Sequence, residues 1–396
     1  MQIIVNIFNQ RVAVLIALII LVSNPVWFLW EFRFLVVLFF LAILVLILLP
    51  RLHNKKLVSQ VVFTLPITVL FFLYFVVLSG LVGGFQTYLF ASFIILLIHP
   101  LFYEYEKSMA LKIITYTLAS IVFVSLFFWL IHTYMFALPM LGGYISYYES
   151  KGMDSVIENY LVFIQVQHDF LIRFYSIFDE PGTLGTLSAF ILYANKYDFR
   201  KKANIIILVG AIFTFSMAFY ILFLIGLLIQ YVNNVRRILL MAFGTLLVFS
   251  CVLYFFSDNI TFQTTVLGRF SNIEASINNR ESHYLDNYYS YFFSGSDVLY
   301  GKGRSFLVSN PILFEGQTYK FFIIEFGVLG LVIILITYIG LIRSFNLFQI
   351  GVLIIFFLSF VQRPFIAQSW QILLFILIIN ELNLPLNRHK DKYVTR

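Results

Sequence analysis

The sequence predicts an all-α, polytopic membrane protein with about twelve transmembrane helices and two long extracytoplasmic loops. Three observations predict it. Hydrophobic residues fill 61% of the 396 positions and charged residues only 11%, whereas a soluble domain carries about 25% charged residues. The 48 Phe and 24 Tyr residues suit lipid-facing helices with aromatic anchors at the interface. The apolar residues also gather into runs near the roughly 17–25 residues that cross a bilayer. Length alone would allow more than one soluble domain, but a single transmembrane domain, 1–396, takes nearly everything.

The runs lie near 12–30, 34–50, 58–80, 86–102, 110–136, 182–196, 203–217, 218–233, 238–256, 320–342, 346–362 and 365–381. Residues 1–10 lack a basic leader and no small-residue cleavage site follows the first run, so the first helix is expected to be retained as a signal anchor. The stretch 203–233 is too long for one ordinary helix and short for two. Lys201 and Lys202 precede it, and Arg236 and Arg237 follow it. If both basic flanks are cytoplasmic, the segment crosses twice or re-enters, turning near Thr214, Ser216 and Met217. Irregular backbone there must be buried in protein or line a cavity.

Placing both termini in the cytoplasm puts 17 of the 26 Lys and Arg residues on that side, as the positive-inside rule asks. The net charge of +7 therefore reads as topology, and nucleic acid is rejected as a partner. Membrane lipid is the surrounding partner. The expected site is the cell inner membrane, crossed many times.

Two long loops then fall outside, 138–181 and 257–319. Both are rich in Tyr and Phe, which argues against disorder. Ser155 to Ile172 and Glu281 to Phe293 are each expected to form an amphipathic helix on the membrane surface, the second with Tyr284, Leu285, Tyr288 and Phe292 on one stripe. The single Cys251 excludes an intramolecular disulfide and reads as an inert thiol. The tail from Asn387 to Arg396 is basic and solvated.

No Walker loop, dinucleotide fingerprint, HExxH or CxxC is present. The six histidines show no metal-ligand spacing, so neither a cofactor nor a metal is expected. The strongest cluster is RFYSIFDEPG, Arg173 to Gly182. Pro181 disfavours helix at Glu180 and can open the next helix. Gly182, Thr183 and Gly185 would let a substrate approach the backbone. A positive helix end with Arg173 favours phosphate or diphosphate. Glu180, with Asp179 beside it, could accept a proton from a hydroxyl. The plainer alternative is a helix N-terminus with acids complementing the dipole and an Arg–carboxylate pair fixing the loop.

A second set, Arg269, Arg280, Gly301, Gly303 and Arg304, suits anion binding, because guanidinium groups hold phosphate bidentately; a solvated loop is its alternative. Glu325 and Arg363 are ionisable groups in or beside apolar spans and so default to functional hypotheses. Against that stand a Glu325–arginine pair and a snorkelling Arg363.

Together these residues resemble the O-antigen polymerase (Wzy-type) family, within the O-antigen polymerase and ligase superfamily. RFYSIFDEPG resembles the family's arginine and EPG at the mouth of a membrane helix. FTFSMAFYILFLIGLLI resembles its helix with a Ser at a polar break. NNRESHYLDNYYSYFFSGSDVLYGKG resembles its loop arginine, amphipathic helix and late Gly-x-Gly. TYKFFIIEFGVLGLVIIL resembles the following helix with Glu-x-Gly-x-x-Gly. The resemblance implies a membrane glycosyltransferase. It would move a growing glycan from undecaprenyl diphosphate to a sugar hydroxyl of an incoming lipid-linked oligosaccharide repeat unit. Charge developing on the leaving diphosphate gives the arginines their role. Glu180, Arg173 and Arg280 are the implied catalytic residues. Arg269, Arg304, Arg363, Asp179 and Tyr319 are the implied substrate contacts. A chain-length regulator protein is a further partner the resemblance allows. The ligases of this superfamily carry a histidine that 310–319 lacks, which favours polymerase over ligase. A lipid-linked oligosaccharide flippase is the rival from another class.

Overall fold

The computed structural model describes residues 2–24, 26–29, 32–84, 86–145, 156–166, 173–232, 283–310, 318–342 and 344–380, with isolated positions between 234 and 254. The expected span 238–256, Cys251, Arg269, Arg280 and the basic tail fall largely or wholly outside these residues.

Among the described residues the chain is all-α with one small sheet. Two helices form the centre: α7 (Pro181–Ala194) and α14 (Ser369–Ile379), every residue of which is buried. Both are apolar all round, as helices sealed by other helices must be. The remaining bundle is α1 (Gln2–Ser23), α2 (Arg33–Leu48), α3 (Lys55–Phe71), α4 (Ser79–Gly83), α5 (Thr87–Ile98), α6 (Glu104–Tyr134), α8 (Lys202–Phe213), α9 (Met217–Tyr231), α12 (Tyr319–Leu341) and α13 (Leu347–Gln362). Helix α3 runs through a π-helical stretch, Phe72–Leu78, into α4. Among the described residues, four continuous helical stretches are long and apolar enough to cross a membrane: Arg33–His53, Lys55–Leu81, Glu104–Tyr134 and Tyr319–Leu341. Several shorter apolar helices pack among them. The protein is a multi-pass membrane protein.

The 203–233 run resolves into α8 and α9 with a turn at Thr214–Ser216. That turn is buried, as irregular backbone in an apolar setting requires.

Within the stretch 155–172, the described residues 156–166 do not form the expected amphipathic helix. Instead β1 (Gly142–Ile145), β2 (Val156–Asn159) and β3 (Ile164–Val166) make an antiparallel sheet. Asn159 is opposite both Gly142 and Ile164. The Asn159 side chain accepts the Leu161 N–H at 2.8 Å and closes the β2–β3 turn, with Leu161 at φ 70°. Ile157 and Ile164 then bury against Tyr175 and Trp27.

The second expectation holds in part. Helix α10 (His283–Phe293) forms and buries Leu285 and Phe292, with Tyr288 half-buried, but Tyr284 is exposed. It packs on α12 through Phe321 and Ile324.

One end of the bundle is locked by charge. Arg51 grips Glu106 through both guanidinium nitrogens, at 2.6 and 2.5 Å, and donates to the Leu101 carbonyl at 2.8 Å. Glu106 also accepts the Tyr103 N–H at 2.9 Å, closing a capping box at the start of α6. Both side chains are nearly inaccessible. Removing one charge from such a pair strands the other in low dielectric. Glu106→Gln is therefore expected to lower stability by about 3–5 kcal/mol. Thermal unfolding of purified variants in detergent would check it, with a wild-type midpoint as the contrary result.

Candidate functional site

The cluster that the sequence singled out sits at the end of the bundle opposite Arg51. Its backbone is stitched in from both sides. Val26 forms a β-bridge with Phe178, and the Trp27 N–H donates to the Ile177 carbonyl at 3.1 Å. The Phe174 N–H donates to the Phe213 carbonyl at 3.0 Å, and the Phe174 and Phe178 rings are fully buried. This leaves Asp179 and Glu180 at the mouth of α7. Glu180 is the N-cap residue in extended conformation, with Pro181 at the first helical position.

Glu180 does not cap the helix with its side chain. Its carboxylate pairs with Arg363, which follows α13. Arg363 also donates to the Thr183 hydroxyl at 3.1 Å. A methyl group on Gly182 would collide with the Arg363 guanidinium, so the glycine makes room for this arginine, where the sequence reading had it admit a substrate. The Arg–carboxylate pair foreseen at this helix mouth exists, but its arginine is Arg363. The 363–368 link is anchored in turn: the Ser92 hydroxyl donates to the Ala367 carbonyl and the Tyr338 hydroxyl to the Ile366 carbonyl, both at 2.7 Å.

Asp179 lies in the field of Glu180, Arg363 and Arg33. Burial first, then the Glu180 charge, pushes its carboxyl well above the usual range; the two arginines oppose this. Its Oδ1, the Nε of Arg363 and the Nε of Arg33 are buried with no hydrogen-bond partner among the described residues. Arg33 is the residue that sequence reasoning missed. It opens a strongly apolar span and looks like an interface anchor. Only its position beside Asp179, 146 residues away in the chain, gives it another meaning.

Arg173 acts on a different element. Its Nε donates to the Thr214 carbonyl at 3.0 Å, at the buried α8–α9 turn. That turn abuts α7, since a methyl on Gly185 would press on Ser216 and Phe219. Arg363 and the Arg173-bound turn thus flank the first turns of α7, at Gly182 and Gly185.

The second set is built around a break in α12. Gly327 adopts φ 66° inside the helix. Gly301, at φ 80°, lies against it so closely that a side chain on either would strike the other segment's backbone. The Lys302 N–H donates to the Ile324 carbonyl at 2.7 Å, and the Leu329 N–H donates to the Leu299 carbonyl at 3.1 Å. The Tyr74 hydroxyl takes the Phe326 carbonyl at 2.5 Å. Just before the break, buried Glu325 accepts from the Gln86 amide at 2.9 Å and faces Arg304, on α11 (Gly303–Ser309), at 3.7 Å. Arg304 is thus compensated by Glu325, the pairing the sequence reading had weighed for that carboxylate. Tyr319 begins α12, and its ring stands edge-on to Tyr289 at 6.2 Å. The two clusters meet near the start of α2: Arg33 stands by Asp179, and the next ring, Phe34, is 6.2 Å from Tyr88. Tyr88 in turn feels Glu325 and Arg304. Among the described residues no group of His, Cys, Asp and Glu is placed to hold a metal ion.

No family model matches the chain, and neither does any curated protein or solved structure. The class of protein therefore stands on the helices and the site alone: a multi-pass membrane protein with a buried arginine–carboxylate cluster at one end of its bundle.

The raised Asp179 carboxyl has a signed consequence. Its folded form holds a proton at pH values where the unfolded chain, near its ordinary value of about 4, has lost it. Stability falls with rising pH wherever the folded state binds more protons. Asp179→Asn mimics the protonated side chain and removes that loss. Its unfolding midpoint relative to wild type is expected to climb as pH rises above about 4. Parallel pH profiles of the two proteins would contradict the assignment.

Proposed function

We propose that this chain is a repeat-unit polymerase of the O-antigen polymerase type. It would act on undecaprenyl-diphosphate-linked oligosaccharides at the outer face of the cytoplasmic membrane, with about twelve crossings and both termini inside. The observation that carries the reading is Arg363, a buried arginine held at the mouth of α7 between Glu180 and Thr183, with Arg33 and Asp179 alongside. With Asp179 protonated, two arginines face one carboxylate, and the cluster's net charge favours an anion.

The reaction breaks the bond from the anomeric carbon to the diphosphate oxygen and forms one to the acceptor hydroxyl oxygen. Negative charge grows on the leaving diphosphate, where a fixed guanidinium is most effective. The acceptor proton needs a base. Glu180 suits this role better than Asp179, because its carboxylate is 38% exposed while it stays paired with Arg363. Arg173 supports the site through the α8–α9 turn. Arg280 and Arg269 keep the diphosphate-binding role that the family resemblance implies. No nucleotide sugar or cofactor is required.

The flippase reading has one specific support. A transporter places charge at broken helices inside the membrane, and α12 is broken at Gly327 beside buried Glu325.

The two are separated by a gel profile of surface polysaccharide from a deletion strain of the source organism. A single repeat unit on the surface acceptor, restored to a ladder by the gene, is the expected result. No repeat unit at the surface would overturn it in favour of the flippase or ligase. Intact polymer stranded on its lipid carrier would single out the ligase. In the same strain, Arg363→Ala, Arg173→Ala and Arg280→Ala should each abolish the ladder at normal protein level. Glu180→Gln should hurt more than Asp179→Asn. Full-length polymer from both the Arg363 and Arg280 variants would sink the diphosphate role.

A further inference from the structure

At the far end of α7 from Glu180 the protein opens into a cleft of about 710 Å3, lined by Lys196, Asp198, Phe199, Arg200, Tyr231 and Leu240. Four of the seven residues from Lys196 to Lys202 are basic, and Asp198 is the one acid among them. Asp198 is shared out already: it faces Lys201 at 4.0 Å and accepts the Arg200 N–H at 3.2 Å. Arg200 is exposed. Lys196 lies with its ammonium 5.8 Å from the Phe348 ring centroid. Lys196 and Tyr197 both take left-handed backbone angles, φ 54° and 52°. Two consecutive non-glycine residues in that region are strained, and such strain gathers at ligand clamps and switch regions.

The height of the cleft is set by α6. The Asn195 side chain donates to the Thr115 hydroxyl at 3.0 Å. Exposed Lys112 lies on α6 three residues below Thr115, a neighbour on the same helical face. From Ile113 to Tyr134 the helix carries no Lys, Arg, Asp or Glu, a length of about 33 Å at 1.5 Å per residue. That matches a hydrocarbon core of about 30 Å. Lys112 and the 196–202 loop therefore stand where the helices leave the hydrocarbon. On α9, Ile221, Leu224 and Leu228 are exposed, as is Val232 just past its end. Their spacing keeps them on one helical face, and it ends beside Tyr231 at the cleft.

We propose that this cleft seats the phosphate headgroup of an anionic phospholipid, with its acyl chains along the exposed stripe of α9. A phosphate diester meets Lys196, Arg200 and Lys112, cations long enough to reach it from the helix ends. Basic pockets between membrane helices bind headgroups on this principle. The apolar stripe leading out of the cleft is what selects a lipid over a free phosphate. The assignment is independent of the glycan chemistry at the other end of the molecule.

The test is native mass spectrometry of the purified full-length protein in detergent with equal phosphatidylglycerol and phosphatidylethanolamine. Wild type should retain phosphatidylglycerol in preference. The double variant Lys196→Gln, Arg200→Gln should lower that retention about thirty-fold, and Lys112→Gln alone about five-fold. Phosphatidylethanolamine, whose own ammonium offsets its phosphate, should lose less in both, so that the preference narrows. The exposed pair Lys55 and Lys56 provides the charge-matched control, and Lys55→Gln, Lys56→Gln should keep the wild-type preference. Equal retention of the two lipids by wild type would overturn the proposal. So would an equal loss in the control pair, or displacement of the lipid by inorganic phosphate alone.

Discussion

A chain that leaves helical geometry inside an apolar medium has to find its hydrogen bonds within the protein, and the architecture follows from where that need is met. At the α8–α9 turn a charged donor meets it: Arg173 takes the Thr214 carbonyl at the end of α8. At the break in α12, Lys302 and Leu329 exchange backbone hydrogen bonds with the facing segments, and Tyr74 caps the Phe326 carbonyl. Each repair also fixes a loop. Arg173 ties the segment before α7 to the α8–α9 hairpin, and the Gly301–Gly327 contact ties the segment before α11 to α12. Satisfying the buried backbone and positioning the polar residues are the same act.

The apolar helices were legible because hydrophobic length is a local signal. Each expected run that lies within the described residues overlaps a helix, and the turn at Thr214–Ser216 lies where the polar break and the basic flanks put it. The helix expected over 155–172 failed for a reason of the same kind. Apolar residues at Val156, Ile157, Tyr160, Leu161, Phe163 and Ile164 fit a helical stripe about as well as two short strands around a tight turn, and short apolar runs do not separate the two by periodicity. The partner strand β1, with Gly142 and Gly143, decides it, and nothing in 155–172 itself announces β1.

Pairings were the least legible part. Glu180 and Arg363 are 183 residues apart, and a carboxylate beside an arginine ten residues or fewer upstream invites a local pairing that the fold does not make. Arg363 carried a signal, an arginine before Pro364 at a span end, but the same signal marks a snorkelling anchor. Arg33 carried less. Its meaning comes from the Val26–Phe178 bridge, which brings the α1–α2 connection against the segment that holds Asp179.

The glycine motifs show how a resemblance can be structural before it is chemical. Gly-x-Gly at Gly301, beside Arg304, suits anion binding when taken alone, and Glu-x-Gly at Glu325 enters only through the resemblance. In the fold they accommodate each other: Gly301 and Gly327 touch backbone to backbone, and Glu325 neutralises Arg304 across the same contact. An arginine compensated in this way offers little to a diphosphate, whereas Arg363 and Arg33 together outnumber the ionised carboxylates near them once Asp179 holds its proton. Among the described residues, the excess of arginine over ionised carboxylate therefore lies at the mouth of α7. The break in α12 becomes the joint that seats the segment before α11 on that helix.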